Sequence, residues 1–276
     1  MKVEDKIVVV TGGASGIGRS LAERFDREGA RHVVVADLDA EGAREVAEAI
    51  GGTGMGVDVT DEQAILSLVE VTERDQGPID LFVSNAGYVT IGGLEAPVED
   101  LQRMWEVHVL AHLYAARAVI PSMARRGRGY LLNTASAAGL LSQFGSMHYA
   151  VTKHAAVGLA EWIAITHGHQ GIRVSVLCPQ AVKTNIEHNS PDADKLAVGS
   201  KDVAAGDGVL LPDAVADTVV EALAEERFHV LPHADVEEYV KRKGADVDRW
   251  LSGMQRWQAQ LFSEEEQPAR WLTGKP

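Results

Sequence analysis

The stretch Ile7-Val8-Val9-Val10-Thr11-Gly12-Gly13-Ala14-Ser15-Gly16-Ile17-Gly18, followed by RSLAERFDREGA, decides the fold. Four β-branched residues in an unbroken run describe a strand buried on both faces, as in a parallel sheet. Gly12, Gly16 and Gly18 then let the backbone turn tightly and come close to a pyrophosphate. The helix that begins there offers unpaired N–H groups and the positive end of its dipole to those phosphates. Strand, glycine loop and helix in this order open a dinucleotide-binding unit. Gly12, Ser15, Gly16, Ile17 and Gly18 are its candidate cofactor contacts.

A second apolar run, HVVVA at 32–36, ends in Asp37. The dinucleotide fold places an acid about 20 residues after its glycine loop, for the ribose 2′-hydroxyl. A carboxylate there repels a 2′-phosphate, and neither Leu38 nor Asp39 supplies a cation. NAD rather than NADP is therefore the expected cofactor, with Asp37 and Leu38 as contacts. Asp39 is the better candidate to cap the helix that follows.

Further strands are expected at 55–59, 79–84, 130–134, 173–177 and in FHVLP at 228–232. Helical patterns lie between them. One long amphipathic helix is expected over 101–126, another from Tyr149 to about residue 168, and another from Pro212 to about residue 227. This alternation predicts an α/β fold: a doubly wound, mostly seven-stranded parallel sheet, Rossmann-like, with helices on both faces. Residues 1–276 read as a single NAD-binding catalytic domain. Within it, the polar stretch 185–208 reads as a flexible substrate-covering segment, and 235–276 as a C-terminal helical extension carrying Tyr239, Trp250, Trp257 and Trp271.

Composition narrows the partners. Hydrophobic residues make up 46% of the 276, enough for a large core. Lys and Arg total 26 against 40 Asp and Glu, a formal charge of -14. So acidic a surface argues against nucleic acid and anionic membrane. The lone Cys178 suits a reducing compartment, and no apolar run approaches the ~20 residues of a membrane span. The expectation is a cytoplasmic protein acting on a small molecule.

Chemistry is concentrated in SAAGLLSQFGSMHYAVTK at 136–153. Tyr149 and Lys153 are four apart at the start of a helical pattern, so phenol and ammonium share a face. A nearby positive charge lowers the phenol's pKa from about 10 and makes it an acid/base. Ser136 follows the apolar run YLLNTA, where a strand end can bring its hydroxyl beside the phenol. His108 and His112 are also four apart, but without a glutamate or a third ligand they do not make a metal site. No metal is expected.

Taken together, these motifs resemble the short-chain dehydrogenase/reductase family, in its single-domain branch. TGGASGIG at 11–18, Asp58, Asn85-Ala86-Gly87, Ser136, YAVTK at 149–153 and the Pro179 to Thr184 segment fall in that family's order. The resemblance extends from about residue 5 to about residue 235. It implies Tyr149 as acid/base, Ser136 positioning the substrate oxygen, and Lys153 holding the nicotinamide ribose and tuning Tyr149. It also implies Asp58 and Val59 in the adenine pocket, Asn85, Ala86 and Gly87 against the cofactor, and Pro179, Val182 and Thr184 towards the carboxamide end.

Two positions depart from that pattern. His108 stands where the family usually has an asparagine that holds a water linking the lysine to solvent; a neutral imidazole is expected to bridge that water instead. Gln180 stands where glycine is common.

The expected activity is hydride transfer between a secondary alcohol or ketone and NAD. Leu140, Leu141, Phe144, Met147, Tyr88 and Ile186 are candidate walls of an apolar substrate pocket. A 3-ketoacyl-thioester reductase and a non-catalytic NAD-sensing protein are the alternatives. Leu113, Tyr114, Leu159 and Trp162 exceed what one sheet face needs, and the resemblance implies pairing of their helices in a homotetramer or homodimer.

Overall fold

The computed structural model describes residues 1–186, 190 and 207–261. Most of the expected 185–208 covering segment, and 262–276 with Trp271, lie outside the described residues. Seven strands form one sheet: β1 (Ile7–Thr11), β2 (His32–Asp37), β3 (Thr53–Gly56), β4 (Leu81–Ser84), β5 (Gly129–Thr134), β6 (Ile172–Leu177) and β7 (His229–Val230). Their order is β3-β2-β1-β4-β5-β6-β7, and every pair is parallel. The winding reverses between β1 and β4. A sheet of this kind binds ligands at that switch, beyond the carboxyl ends of its strands.

The period-two geometry of strands explains why Ile7–Val10 is apolar throughout. Ile7 and Val9 point into one core with Phe82, Leu131, Val119 and Ile163. Val8 and Val10 point into the other with Leu21, Phe25, Val35 and Val219. Helices α3 (Glu62–Asp75), α5 (Ala111–Arg126) and α7 (Met147–His167) supply the first layer. Helices α1 (Gly16–Arg27), α2 (Ala40–Ala49) and α8 (Pro212–Glu225) supply the second. Asp39 caps α2 through the Gly42 N–H, and Asp61 caps α3 through the Gln63 N–H.

Three expected elements come out differently. β3 covers 53–56 rather than 55–59. Its glycines let α2 pack closely: a Cβ on Gly54 would lie 2.5 Å from the Arg44 Cα. The FHVLP strand shrinks to two residues at the sheet edge. The expected single helix over 101–126 is three pieces: α4 (Val98–Trp105), a π-helical turn (Glu106–Leu110) and α5. A π turn breaks the 3.6-residue register and is often found at functional sites. After β7 the chain forms α9 (Asp235–Ala245) and α10 (Val247–Leu261). The short α6 (Ala138–Leu141) packs against α9.

Candidate active site

A cleft of about 2460 Å³ runs along the carboxyl ends of the strands. Single drug-sized ligands occupy roughly 300–1,000 Å³, so this space admits a dinucleotide and a second molecule. One end is lined by Gly12, Ser15, Gly16, Ile17, Asp37, Leu38, Asp58 and Val59, and the middle by Asn85, Ala86 and Gly87. Ser136, Tyr149, Lys153, Pro179 and Val182 line the other end, and Thr184 lines the cleft beside the glycine loop, its Cγ2 3.1 Å from where a Cβ on Gly16 would stand.

Gly18 does not line the cleft. A Cβ there would sit 2.0 Å from the Gly12 carbonyl oxygen, so its lack of a side chain lets α1 close against the loop. Gly12 itself has φ +63 and abuts Ala86, so it needs both the conformation and the space. Ser15 precedes α1 without capping it with its side chain, and Ser15, Gly16 and Ile17 line the cleft, so the uncapped first turn of α1 borders it. Asp37 is held rigidly: its Oδ2 accepts the Ala14 N–H at 3.0 Å and its Oδ1 the Asp39 N–H at 3.0 Å. Leu38 beside it is 77% exposed.

A network of short polar side chains joins the two ends of the cleft. Asn85 Nδ2 donates to the Thr11 and Gly12 carbonyls, both at 3.2 Å. Thr134 Oγ1 donates to Asn85 Oδ1 at 3.1 Å, and Lys153 Nζ donates to the Thr134 carbonyl at 3.1 Å. Neither Thr11 nor Thr134 stands out in the sequence, because each looks like the last residue of a strand. Lys153 is buried, and its Nζ lies 5.5 Å from the centroid of the Tyr149 ring. Ser136 Oγ donates to the Pro179 carbonyl at 3.3 Å and accepts the Ala138 N–H at 3.1 Å.

The protonation of this pair differs from the sequence expectation. Burial pushes the Tyr149 phenol above its ordinary value, and the Ser136 hydroxyl works against that shift. Burial brings Lys153 down to about 7. The expectation counted the ammonium's charge alone. In the folded protein, loss of water around both groups outweighs it, because desolvation disfavours phenolate and ammonium alike.

His108 lies behind Tyr149 and does not line the cleft. Its Nε2 accepts the Tyr88 N–H at 3.3 Å, and its Nδ1 is 2.9 Å from Thr152 Oγ1. Thr152 already donates to the His148 carbonyl at 2.8 Å, so Nδ1 must be the donor to Thr152. The partners therefore assign a neutral Nδ1–H tautomer, and burial holds the imidazole's pKa well below its usual range. Both ring nitrogens are engaged by the protein, so the expected water bridge to Lys153 does not fit. The imidazole instead packs edge-on against the Tyr149 ring, with centroids 5.6 Å apart. His108 lies within the π turn and His112 in the first turn of α5, where it is buried beside a small void also lined by Thr11 and Ser84. Among the described residues no group of three His, Cys, Asp or Glu converges as metal ligands.

The substrate end is partly as expected. Tyr88, Leu141, Phe144 and Ile186 line it, whereas Leu140 packs into the core and Met147 lies outside the lining. Gln180 turns away from the nucleotide end: its Nε2 donates to Asp207 at 2.9 Å, and Asp207 also accepts the Tyr239 hydroxyl of α9 at 3.0 Å. Helices α9 and α10 thus roof the substrate end. Tyr239, Trp250 and Trp257 line it, and Trp257 stacks edge-on against Phe144.

Comparison with known proteins agrees with this geometry. Residues 6–195 match the model of the short chain dehydrogenase family. The 1-deoxy-11-beta-hydroxypentalenate dehydrogenase of Streptomyces exfoliatus is 34% identical, over 91% of this chain and 92% of that protein. The meso-2,3-butanediol dehydrogenase of Serratia marcescens is 34% identical over 69% of this chain and 77% of its own length. A short chain dehydrogenase/reductase from Burkholderia phymatum, solved in complex with NAD, superposes with a TM-score of 0.79 at 28% identity. That match covers 90% of this chain and 96% of the other. The chain belongs to the short-chain dehydrogenase/reductase family, and is an oxidoreductase of that family.

The buried lysine has a measurable consequence. Its folded-state pKa, about 7, lies below the unfolded value near 10.5, so between these values the unfolded chain binds more protons and stability rises with pH. The cost of burying the ammonium is fully present below about pH 7 and disappears as pH rises towards 10.5. Lys153→Met should therefore raise the Tm of the nucleotide-free protein at pH 6–7, with the gain shrinking towards pH 10. A Tm difference that is constant with pH would show that Lys153 is not buried as a cation.

Proposed function

We propose that the protein is an NAD-dependent dehydrogenase that interconverts a secondary alcohol and a ketone on an apolar skeleton. The observation that carries this is the convergence of Ser136, Tyr149 and Lys153 at one end of a cleft whose other end holds the glycine loop and Asp37. The residues fit a dinucleotide: the first turn of α1 is open to phosphates, and the fixed Asp37 carboxylate suits a ribose hydroxyl and disfavours a 2′-phosphate. The related dehydrogenases named for hydroxypentalenate and butanediol, and the NAD-bound structure, support the same reading.

A bound nicotinamide supplies the hydride acceptor for oxidation and the hydride donor for reduction. Tyr149, as phenolate, takes the proton from the substrate hydroxyl, and as phenol returns it to the alkoxide in the reverse direction. Ser136 donates to that oxygen; its 3.3 Å bond to Pro179 is long enough to yield to a better acceptor. Lys153 anchors the nicotinamide ribose and adjusts the proton affinity of Tyr149. His108, fixed by Tyr88 and Thr152, is a positioning residue that supports the Tyr149 ring from behind.

We also propose a homo-oligomer, tetramer or dimer, paired through α7. Val151, Trp162 and Ile165 form an exposed stripe on that helix, with Trp162 59% and Ile165 82% exposed. Gly158 on the same stripe leaves room for close approach.

Tyr149→Phe should reduce oxidation of secondary alcohols by 10²-fold or more while leaving NAD affinity nearly unchanged. Near-normal kcat in this variant would remove Tyr149 from the mechanism. Wild-type kcat/KM should favour NAD over NADP, and Asp37→Ala should narrow the gap; equal values in the wild type would reject the cofactor assignment. Sedimentation at micromolar concentration should show dimers or tetramers, and a monomer throughout would refute pairing through α7.

A further inference from the structure

Helix α10 brings an unusual set of side chains to the roof of the cleft. Arg249, Trp250, Gly253, Arg256 and Trp257 all line it. The other four stand three or four residues from Gly253, so they surround it on one helix face. Glycine is a poor helix former, yet here it occupies the middle of α10 and leaves bare backbone between two indoles and two guanidiniums. The Nη2 of Arg256 lies 3.8 Å from the point where a Cβ on Gly253 would stand, so the guanidinium leans over this notch.

The charges around it are unbalanced. Arg103 and Arg242, which also line the cleft, are paired with Asp100 and Glu238. Neither the Arg249 nor the Arg256 guanidinium pairs with a carboxylate among the described residues. This is in a chain with 40 acidic against 26 basic residues, where carboxylates are plentiful. Two acids of the same lining make other contacts: Asp246 accepts the Arg249 backbone N–H, and Asp207 is held by Gln180 and Tyr239.

We propose that the substrate carries a carboxylate on its apolar skeleton, and that Arg249 and Arg256 bind that carboxylate while Trp250, Trp257 and Phe144 enclose the skeleton. This rests on the dehydrogenase reading for the word substrate, but not for the site. Guanidinium forks match a carboxylate in shape and number of donors. The indoles supply an apolar wall with rigid geometry.

The test uses the full-length protein and its intrinsic tryptophan fluorescence, with decanoate and decanamide as probes. Decanoate should quench at roughly tenfold lower concentration than decanamide, as charge-assisted hydrogen bonds require. The preference should shrink as salt is raised, because the site is open to solvent. It should vanish in Arg249→Gln/Arg256→Gln and survive in large part in Arg249→Lys/Arg256→Lys, which separates charge from fold. Equal quenching by the two probes, or a preference that persists in the double glutamine variant, would overturn the proposal. So would tighter quenching by coenzyme A than by decanoate, which would point to a phosphate instead. In turnover, 9-hydroxydecanoate should be preferred to its methyl ester. If neither is oxidised while the decanoate preference holds, the dehydrogenase reading fails and the carboxylate site stands.

Discussion

The structure depends on one chain of hydrogen bonds across the carboxyl ends of the central strands. The carbonyl of Gly12 accepts from Asn85, the carbonyl of Asn85's side chain accepts from Thr134, and the main-chain carbonyl of Thr134 accepts from Lys153. Strands buried on both faces end abruptly at the sheet's edge, and the backbone groups exposed there must find partners. Here short polar side chains provide them. The same bonds tie the glycine loop after β1 to the lysine on α7, so the place of a dinucleotide and the place of the acid/base pair are set together.

Solvent exclusion decides how that pair behaves. On an exposed helix, a tyrosine and a lysine four residues apart interact weakly, and each keeps close to its ordinary pKa. Within this cleft both lose water. The phenol is pushed up and the ammonium is brought down to about 7, so the two move apart in proton affinity and each favours its neutral form. His108 contributes rigidity: a neutral ring with both nitrogens hydrogen-bonded to the protein gives Tyr149 a fixed surface to rest on.

The two ends of the cleft are built differently. The nucleotide end rests on strand termini and an α1 that cannot move without breaking the sheet contacts. The substrate end is closed by helices added after β7 and held by side-chain links such as Gln180 to Asp207 to Tyr239 and the contact of Phe144 with Trp257. Chemistry is thus fixed by the core, and choice of substrate is left to a roof whose residues can differ without disturbing it.

Much of this was legible in the chain. The run Ile7–Val10, the glycines after it, Asp37 and the strand-helix alternation determined a doubly wound parallel sheet, since period-two and period-3.6 burial leave local patterns that composition and turns punctuate. The spacing of Tyr149 and Lys153 determined that they share a helix face. Tertiary structure alone decided the rest. It placed Thr134 under Lys153, broke the helix at Glu106–Leu110 so that His108 meets Tyr88, Thr152 and Tyr149, and brought α10 over the cleft. It also reversed the expected shift of Tyr149. The reason is physical: hydrogen-bond partners far apart in sequence, and the water lost around a charge, are properties of packed surroundings and leave no period in the sequence.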